Sequence, residues 1–559
     1  MWKFGRGTIC LFGCLVLIHA AYSAQSDMQA SVDDVQWFRD AKFGMFIHWG
    51  PGSLTGSELS WSRGGARPDR PDVPEGPISI TEYDSLYKRF NPTKFDADEW
   101  VRIAKSAGCR YLVFTTKHHD GFSMFDSKLT DYKVTNSPFG RDATAELARA
   151  CHDANFKLGL YFSGPDWYNP DFMTERHPRF VRYFAGQVRE LCANYGKIDV
   201  LWFDMGGPPA SYAAESVIST ARRMQPEILI NNRLGLPCDF DTPEQRVGSF
   251  QNQRPWESCI TIGDQWTWRA NENVKSLKQC IQTLVSCVVS DGNLLFNVGP
   301  APTGEIEPPQ VERMAEIGKW LKKYGESIYG TRGGPFIMGA SGGSTYKGNR
   351  IYLHVLDWNA DAIDLPIRAD MVRSCSLLTG GKVQMTATSA GIRISVTKDN
   401  RDSIDTIVKL ELKGAASTIP PVKVVNTASL ATEMPATASS VYMGDTTNWG
   451  PSRAFDDDFM SRWATDAGVT SAQLVVDMGK SVTFDTILFD EPAAYQRITN
   501  FELQCRDDGD WRTFYRGTTI GTEMLITVEP TTARHVRLNV LEASNGPTIN
   551  EFRIKRIKK

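Results

Sequence analysis

Between residues 44 and 298, side chains able to do acid, base or hydrogen-bonding chemistry recur at the ends of short apolar runs. His48 follows Gly44-Met45-Phe46-Ile47, and Lys117-His118-His119-Asp120 follows Tyr111 to Thr116. Asp204 closes Val200-Leu201-Trp202-Phe203, while Tyr161, Asn231-Asn232-Arg233, Glu257 and Asn297 hold comparable places. Loop Gly, Ser and Asn would serve a bare scaffold there. A histidine pair, several carboxylates and an arginine reached from different runs point instead to a reactive pocket. His with Asp also raises a divalent metal that activates water. Against that metal-dependent hydrolase reading, the first run ends in one His followed by Trp, not in His-x-His. Adjacent His118 and His119 would also point apart in strand geometry.

The runs themselves read as strands: Gly44 to His48, Tyr111 to Thr116, Leu158 to Ser163, Val200 to Asp204, Ile228 to Asn232, Ser258 to Ile262 and Leu294 to Val298, with a weaker one at Val247 to Gln251. Amphipathic stretches lie between them. In Phe95 to Gly108, Trp100, Ile103, Ala104 and Ala107 fall at i, i+3, i+4 and i+7. Eight strands alternating with helices predict an α/β fold of the (β/α)8-like (TIM-type) barrel kind, whose working residues come from the C-terminal strand ends. Asp204, ending a continuously apolar strand, would stand at the mouth of that barrel. Its bland alternative is a cap for the next helix.

Lys and Arg number 62 against 65 Asp and Glu, a net charge of −3, which excludes the basic surface of a nucleic-acid binder. Lys3 and Arg6 precede an apolar run from Thr8 to Ile18, with Ala20, Ala21, Ser23 and Ala24 after it. That order predicts a signal peptide over residues 1–24 and a secreted or periplasmic protein with no membrane span. Leu11-Phe12-Gly13-Cys14 resembles a lipobox but leaves a very short apolar region, so lipoprotein anchoring is the second choice. The nine cysteines beyond the signal are scattered without CxxC spacing, which favours buried free thiols.

After Pro308 to Tyr324, a helix, the pattern changes to short alternating runs such as Ile351 to Leu356 and Ile392 to Thr397. Residues 25–334 are therefore expected to form the barrel region and 335–415 a small β-sandwich. Residues 416–439, rich in Ala, Ser, Thr and Pro, read as a linker, and 440–559 as a second β domain.

Ala41-Lys42-Phe43-Gly44-Met45-Phe46-Ile47-His48-Trp49-Gly50 resembles the opening strand of glycoside hydrolase family 29, the α-L-fucosidases. The likeness runs on in order through Ser57-Glu58, Thr116-Lys117-His118-His119-Asp120-Gly121-Phe122, Gly159-Leu160-Tyr161, Asp199 to Asp204, Asn231-Asn232-Arg233, Trp256-Glu257-Ser258-Cys259 and Asn293 to Pro300. One such match is weak; eight in order are specific. Arg453-Ala454-Phe455-Asp456-Asp457-Asp458 and Ser461-Arg462-Trp463-Ala464-Thr465 resemble a coagulation factor 5/8 type C (discoidin-like) domain, of the kind classed as a carbohydrate-binding module.

The first resemblance implies an exo-acting, retaining α-L-fucosidase that takes terminal fucose from fucosylated oligosaccharides or glycoproteins through a covalent glycosyl-enzyme, with no cofactor for catalysis. Asp204 matches the nucleophile position, though Met205 stands where the family usually has Gly. Glu244 matches the acid/base position on a loop, and Glu257 is the runner-up. His48, Glu58, His118, His119, Tyr161, Trp202 and Arg233 match sugar-binding positions, and Trp266 or Trp268, with Trp268 the choice, would cover the methyl face of fucose. A different class, a non-catalytic fucose-binding protein, stays open. The second resemblance implies a structural Ca²⁺ held through Asp457 and Glu551, as a hard cation prefers oxygen ligands.

Overall fold

The computed structural model describes residues 29–71, 73–204, 206–358, 361–424, 429–456, 461–492, 495–521 and 524–556. The expected signal peptide, Met205 and Asp457 lie outside them. The chain divides into two compact units, Met1–Arg332 and Gly333–Lys559.

In the first unit seven strands are all parallel: β1 (Phe43–Ile47), β2 (Tyr111–Lys117), β3 (Lys157–Ser163), β4 (Val200–Asp204), β5 (Leu229–Ile230), β6 (Glu257–Thr261) and β7 (Asn293–Val298). Their order is β5-β4-β3-β2-β1-β7-β6. Parallel strands covered on both faces read as unbroken apolar runs, and β1, β4 and β7 are buried at every position. Helices α1 (Val32–Ala41), α2 (Ala97–Ser106), α3 (Ala143–Asp153), α4 (His177–Asn194), α5 (Ala214–Met224), α6 (Leu277–Val289) and α7 (Pro308–Tyr324) accompany them. Side-chain caps start several of these: Asp96 accepts from Glu99 N ahead of α2, and Ser276 with Gln279 forms a capping box ahead of α6.

The eighth strand expected at Val247 to Gln251 is not formed. The sheet curls, and the irregular segment from Asp239 to Gln245 lies between its edges. On the β5 side Asp239 N donates to Ile230 O (2.9 Å) and Asn232 N to Phe240 O (3.0 Å). On the β6 side Glu257 N donates to Asp241 O (2.9 Å), Cys259 N to Pro243 O (3.0 Å) and Gln245 N to Cys259 O (3.0 Å). Pro243 has no N–H to give a ladder, and Cys238 and Gln245 have φ values of 40° and 51°. Those residues reduce a strand to a seam of separate bridges.

The second unit holds two β regions. One joins a six-stranded sheet, which includes β8 (Arg350–Val355) and β9 (Thr406–Leu412), to a three-stranded sheet. Ile351 and Leu353 of the first share a core with Ile363, Leu365, Ile392 and Ile394 of the second. Two short strands fall within the stretch expected as a linker: Val422–Lys423 pairs with Phe336 and Ile337, and Ala436–Ala438 pairs with Leu474 to Val476. The other region is dominated by the long antiparallel pair Ala472–Asp490 and Met524–Ala543, packed around Trp463, Phe484, Phe489 and Phe552. Among the described residues no helix is long and apolar enough to cross a membrane, and the nine cysteines are unpaired.

Candidate active site

Asp204 is the last residue of β4, and its side chain is nearly buried at 12% exposure. Tyr161, two residues from the end of β3, donates its hydroxyl to Asp204 Oδ2 at 2.7 Å. Arg233, in the turn after β5, donates Nη1 to Asp204 Oδ1 at 2.6 Å. Burial pushes the Asp204 carboxyl up, but Arg233 and the Tyr161 hydrogen bond outweigh it and hold the group below its ordinary value. Gly206 lets the next loop press on this pair, because a Cβ there would come within 2.2 Å of Arg233 O.

The same Nη1 of Arg233 lies 2.8 Å from Glu244 Oε2, so one nitrogen bridges two carboxylates. Those two oxygens are therefore no more than 5.4 Å apart, the sum of the two contacts. Glu244 rides on the seam and keeps a 43% exposed side chain, which leaves it reachable from outside.

Three histidines stand around the same space. His48 follows β1 and its Nδ1 lies 2.7 Å from Asn297 Oδ1. His118 and His119 follow β2, with Nδ1 atoms 2.6 Å from Ser60 Oγ and 2.7 Å from Ser163 Oγ. His119 Nε2 is 3.7 Å from Asp204 Oδ2. Burial keeps all three neutral: His48 and His119 fall to about 4, and His118 goes well below its ordinary value. His118 stacks on Tyr161, Tyr161 on Trp202, and Arg233 lies over Trp202. With Phe46 and Trp266 these groups line a cavity of about 150 Å³.

The family model described as Alpha-L-fucosidase matches residues 13–326, more than half of the chain. The chain belongs to the alpha-L-fucosidase family. A second model, F5/8 type C domain, matches residues 435–552. The tissue alpha-L-fucosidase of Macaca fascicularis is 30% identical over 365 residues, covering 58% of this chain and 76% of that one. Among solved structures, alpha-L-fucosidase isoenzyme 1 from Paenibacillus thiaminolyticus is 35% identical with a TM-score of 0.61, covering 68% of this chain and 99% of its own. A fucosidase from Bacteroides thetaiotaomicron, trapped as a covalent intermediate with 2-fluoro-fucosyl fluoride, is 27% identical with a TM-score of 0.61, covering 69% and 97%.

Within this fucosidase pocket the residues anticipated from the sequence do not all fall where they were placed. Asp204, Glu244, His48, His118, His119, Tyr161, Trp202 and Arg233 line the cavity together. Glu257 does not. It opens β6 rather than ending a strand, and it is fully buried, with Tyr111 OH donating to Oε2 and Trp202 Nε1 to Oε1 at 3.0 Å. Trp266 lines the cavity and Trp268 is not among its lining residues; the Trp268 ring sits near Gly56 instead. Glu58 is not among the lining residues; its Oε1 accepts Trp266 N at 2.9 Å, and burial raises its carboxyl to about 7. Trp61, Arg70 and Cys259 also line the cavity and were not anticipated. Trp61 and Arg70 come from a loop with no periodic pattern. Cys259 could have been found by counting two residues up the strand from Glu257.

His118, His119 and Asp204 could bring three ligand atoms within 4.8 Å of one another. Both Asp204 oxygens are nevertheless engaged, one of them by a guanidinium 2.6 Å away that would repel a divalent cation. The donor set suits a neutral hydroxylated ligand, and the metal-dependent reading finds no support in it. In the C-terminal region Glu551 is buried, with Arg553 Nε 3.8 Å from its Oε2.

Glu257 has a consequence for stability. Burial raises its carboxyl from 4.5 to about 7 against the pull of Tyr111 and Trp202. Between those values the folded chain keeps a proton that the unfolded chain has lost, so stability falls as pH rises through that window. Glu257→Gln, which mimics the protonated form, is expected to gain on the parent by about 2.5 kcal/mol between pH 5 and pH 8, a size that follows from the shift. Denaturant melts at both pH values check this, and a constant gap would refute it.

Proposed function

We propose that the chain is an exo-acting, retaining α-L-fucosidase that frees terminal α-L-fucose from fucosylated oligosaccharides or glycoproteins. The observation that carries this is the Arg233 bridge, which keeps oxygens of Asp204 and Glu244 within 5.4 Å. Carboxyl groups about 5–5.5 Å apart suit the retaining route, whereas an inverting enzyme needs about 6.5–9.5 Å to admit a water.

In this reading Asp204 attacks the anomeric carbon while Glu244 gives its proton to the departing oxygen. A water then loses a proton to Glu244, attacks the same carbon and releases Asp204. Arg233 and Tyr161 keep Asp204 ionised and aimed. His48, His118, His119 and Trp202 meet the sugar, Glu58 braces Trp266, and Phe46 with Trp266 makes an apolar wall for the C5 methyl. We read the curled sheet and its seam as a (β/α)8-like (TIM-type) barrel, followed by a small β-sandwich and a discoidin-like one.

Release of 4-nitrophenol from its α-L-fucoside, with α-fucose as the first anomer seen by NMR, is the expected result. First-formed β-fucose would overturn retention, and a folded chain without turnover would favour the fucose-binding protein. We also propose export through residues 1–24, supported by their charge and apolar order; a mature N-terminus upstream of residue 20 would refute it. A structural Ca²⁺ held through Asp457 and Glu551, supported by the buried Glu551 carboxylate, completes the proposal. Chelation should lower the melting temperature of the full chain and Ca²⁺ restore it; an unchanged melt excludes the site.

A further inference from the structure

Each histidine facing the cavity has its Nδ1 tied to a partner outside it, which leaves Nε2 for the ligand. Whether Nε2 offers a lone pair or an N–H depends on what the Nδ1 partner demands. The next bond along each chain settles that demand.

Asn297 donates Nδ2 to the Trp266 carbonyl at 2.7 Å. A carbonyl only accepts, so the amide is oriented and its Oδ1 is the atom facing His48 Nδ1. His48 therefore carries its proton on Nδ1 and shows a bare Nε2. Ser163 donates its hydroxyl to the Pro165 carbonyl at 2.6 Å, leaving its oxygen to accept from His119 Nδ1. His119 likewise shows a bare Nε2. Ser60 is the opposite case. Its Oγ accepts the Asp120 N–H at 2.9 Å, and among the described residues the acceptor within reach of its own proton is His118 Nδ1 at 2.6 Å. His118 thus holds its proton on Nε2. Ser60 adopts a φ of 61°, a left-handed conformation that a serine keeps only where its surroundings hold it.

We propose that Asn297, Ser163 and Ser60 are positioning residues that fix the tautomers of His48, His119 and His118. The cavity then presents two imidazole acceptors and one imidazole donor to the hydroxyls of its sugar. The proposal rests on the sugar-binding role given above. It also explains how a proton is kept off the nitrogen nearest the nucleophile. In its other tautomer His119 would aim the positive end of an N–H at Asp204, 3.7 Å away, and further stabilise a carboxylate that already accepts from Tyr161 and Arg233. A carboxylate so encumbered attacks more slowly.

Selective ¹⁵N-histidine labelling of the full chain reads the tautomers without needing turnover, so its outcome is separate from that of the activity assay. At neutral pH, protonated Nδ1 is expected on His48 and His119, and protonated Nε2 on His118, with signals assigned by replacing each histidine in turn. Ser163→Ala should move the His119 proton to Nε2 and lower kcat about tenfold, the weight of one hydrogen bond, with KM less affected. Ser163→Thr, which keeps the hydroxyl, should restore both. Protonated Nε2 on His48 or His119, or protonated Nδ1 on His118, in the parent protein overturns the proposal. So does an unchanged His119 tautomer in the Ser163→Ala variant.

Discussion

Asp204→Ala is expected to remove fucoside hydrolysis by roughly 10⁴-fold or more, the scale on which enzymes suffer when they lose a nucleophile. The loss should appear in kcat rather than in binding, because the other cavity-lining residues remain in place. Removing the carboxylate also frees Arg233 Nη1, whose remaining partner is Glu244. Azide or formate should enter the vacated space and restore part of the rate, and azide should yield β-fucosyl azide, the product of a single inversion. Both ends of the interaction are thereby tested. Retained activity in the variant would show that another group attacks.

Glu244→Ala should behave differently according to the leaving group. General acid catalysis contributes about 10²–10⁴-fold, and it matters most where the departing oxygen is basic. An unactivated fucosyl disaccharide should therefore lose most of that range, while a dinitrophenyl fucoside, which leaves without help, should form its intermediate nearly as fast as before. Added azide should then speed turnover of the activated substrate, since it needs no base. Glu257→Gln should show neither the leaving-group dependence nor the rescue, because its carboxyl is locked between Tyr111 and Trp202 below the cavity. Azide rescue in Glu257 variants but not in Glu244 variants would exchange the two roles.

These contrasting residues also explain what could be read from the sequence. Asp204 was legible because β4 is buried at every position, so its apolar run ends where the chain meets the cavity. The same held for His48 after β1 and for His118 and His119 after β2. Glu257 misled, since the apolar run beyond it suggested a strand beginning one residue later. In the structure it begins at Glu257, and Cys259, two residues on, faces the cavity. The seam was misplaced for another reason: Pro243 and the left-handed Gln245 destroy the alternation by which a strand is recognised. Trp266 and Trp268, two residues apart in one loop, offer no local signal to say which of them turns inward.

The seam has a consequence for comparing this chain with its relatives. Asp204 belongs to a ladder in which Ser163 pairs with it directly, so an inserted residue would slip the whole register. Glu244 hangs on one isolated bridge to Cys259, where a residue more or less can be absorbed by the turns on either side. Homologues should thus align cleanly at Asp204 and drift at Glu244. The counterpart of Asp204 in each relative is therefore found from the sequence, whereas that of Glu244 has to be found in space.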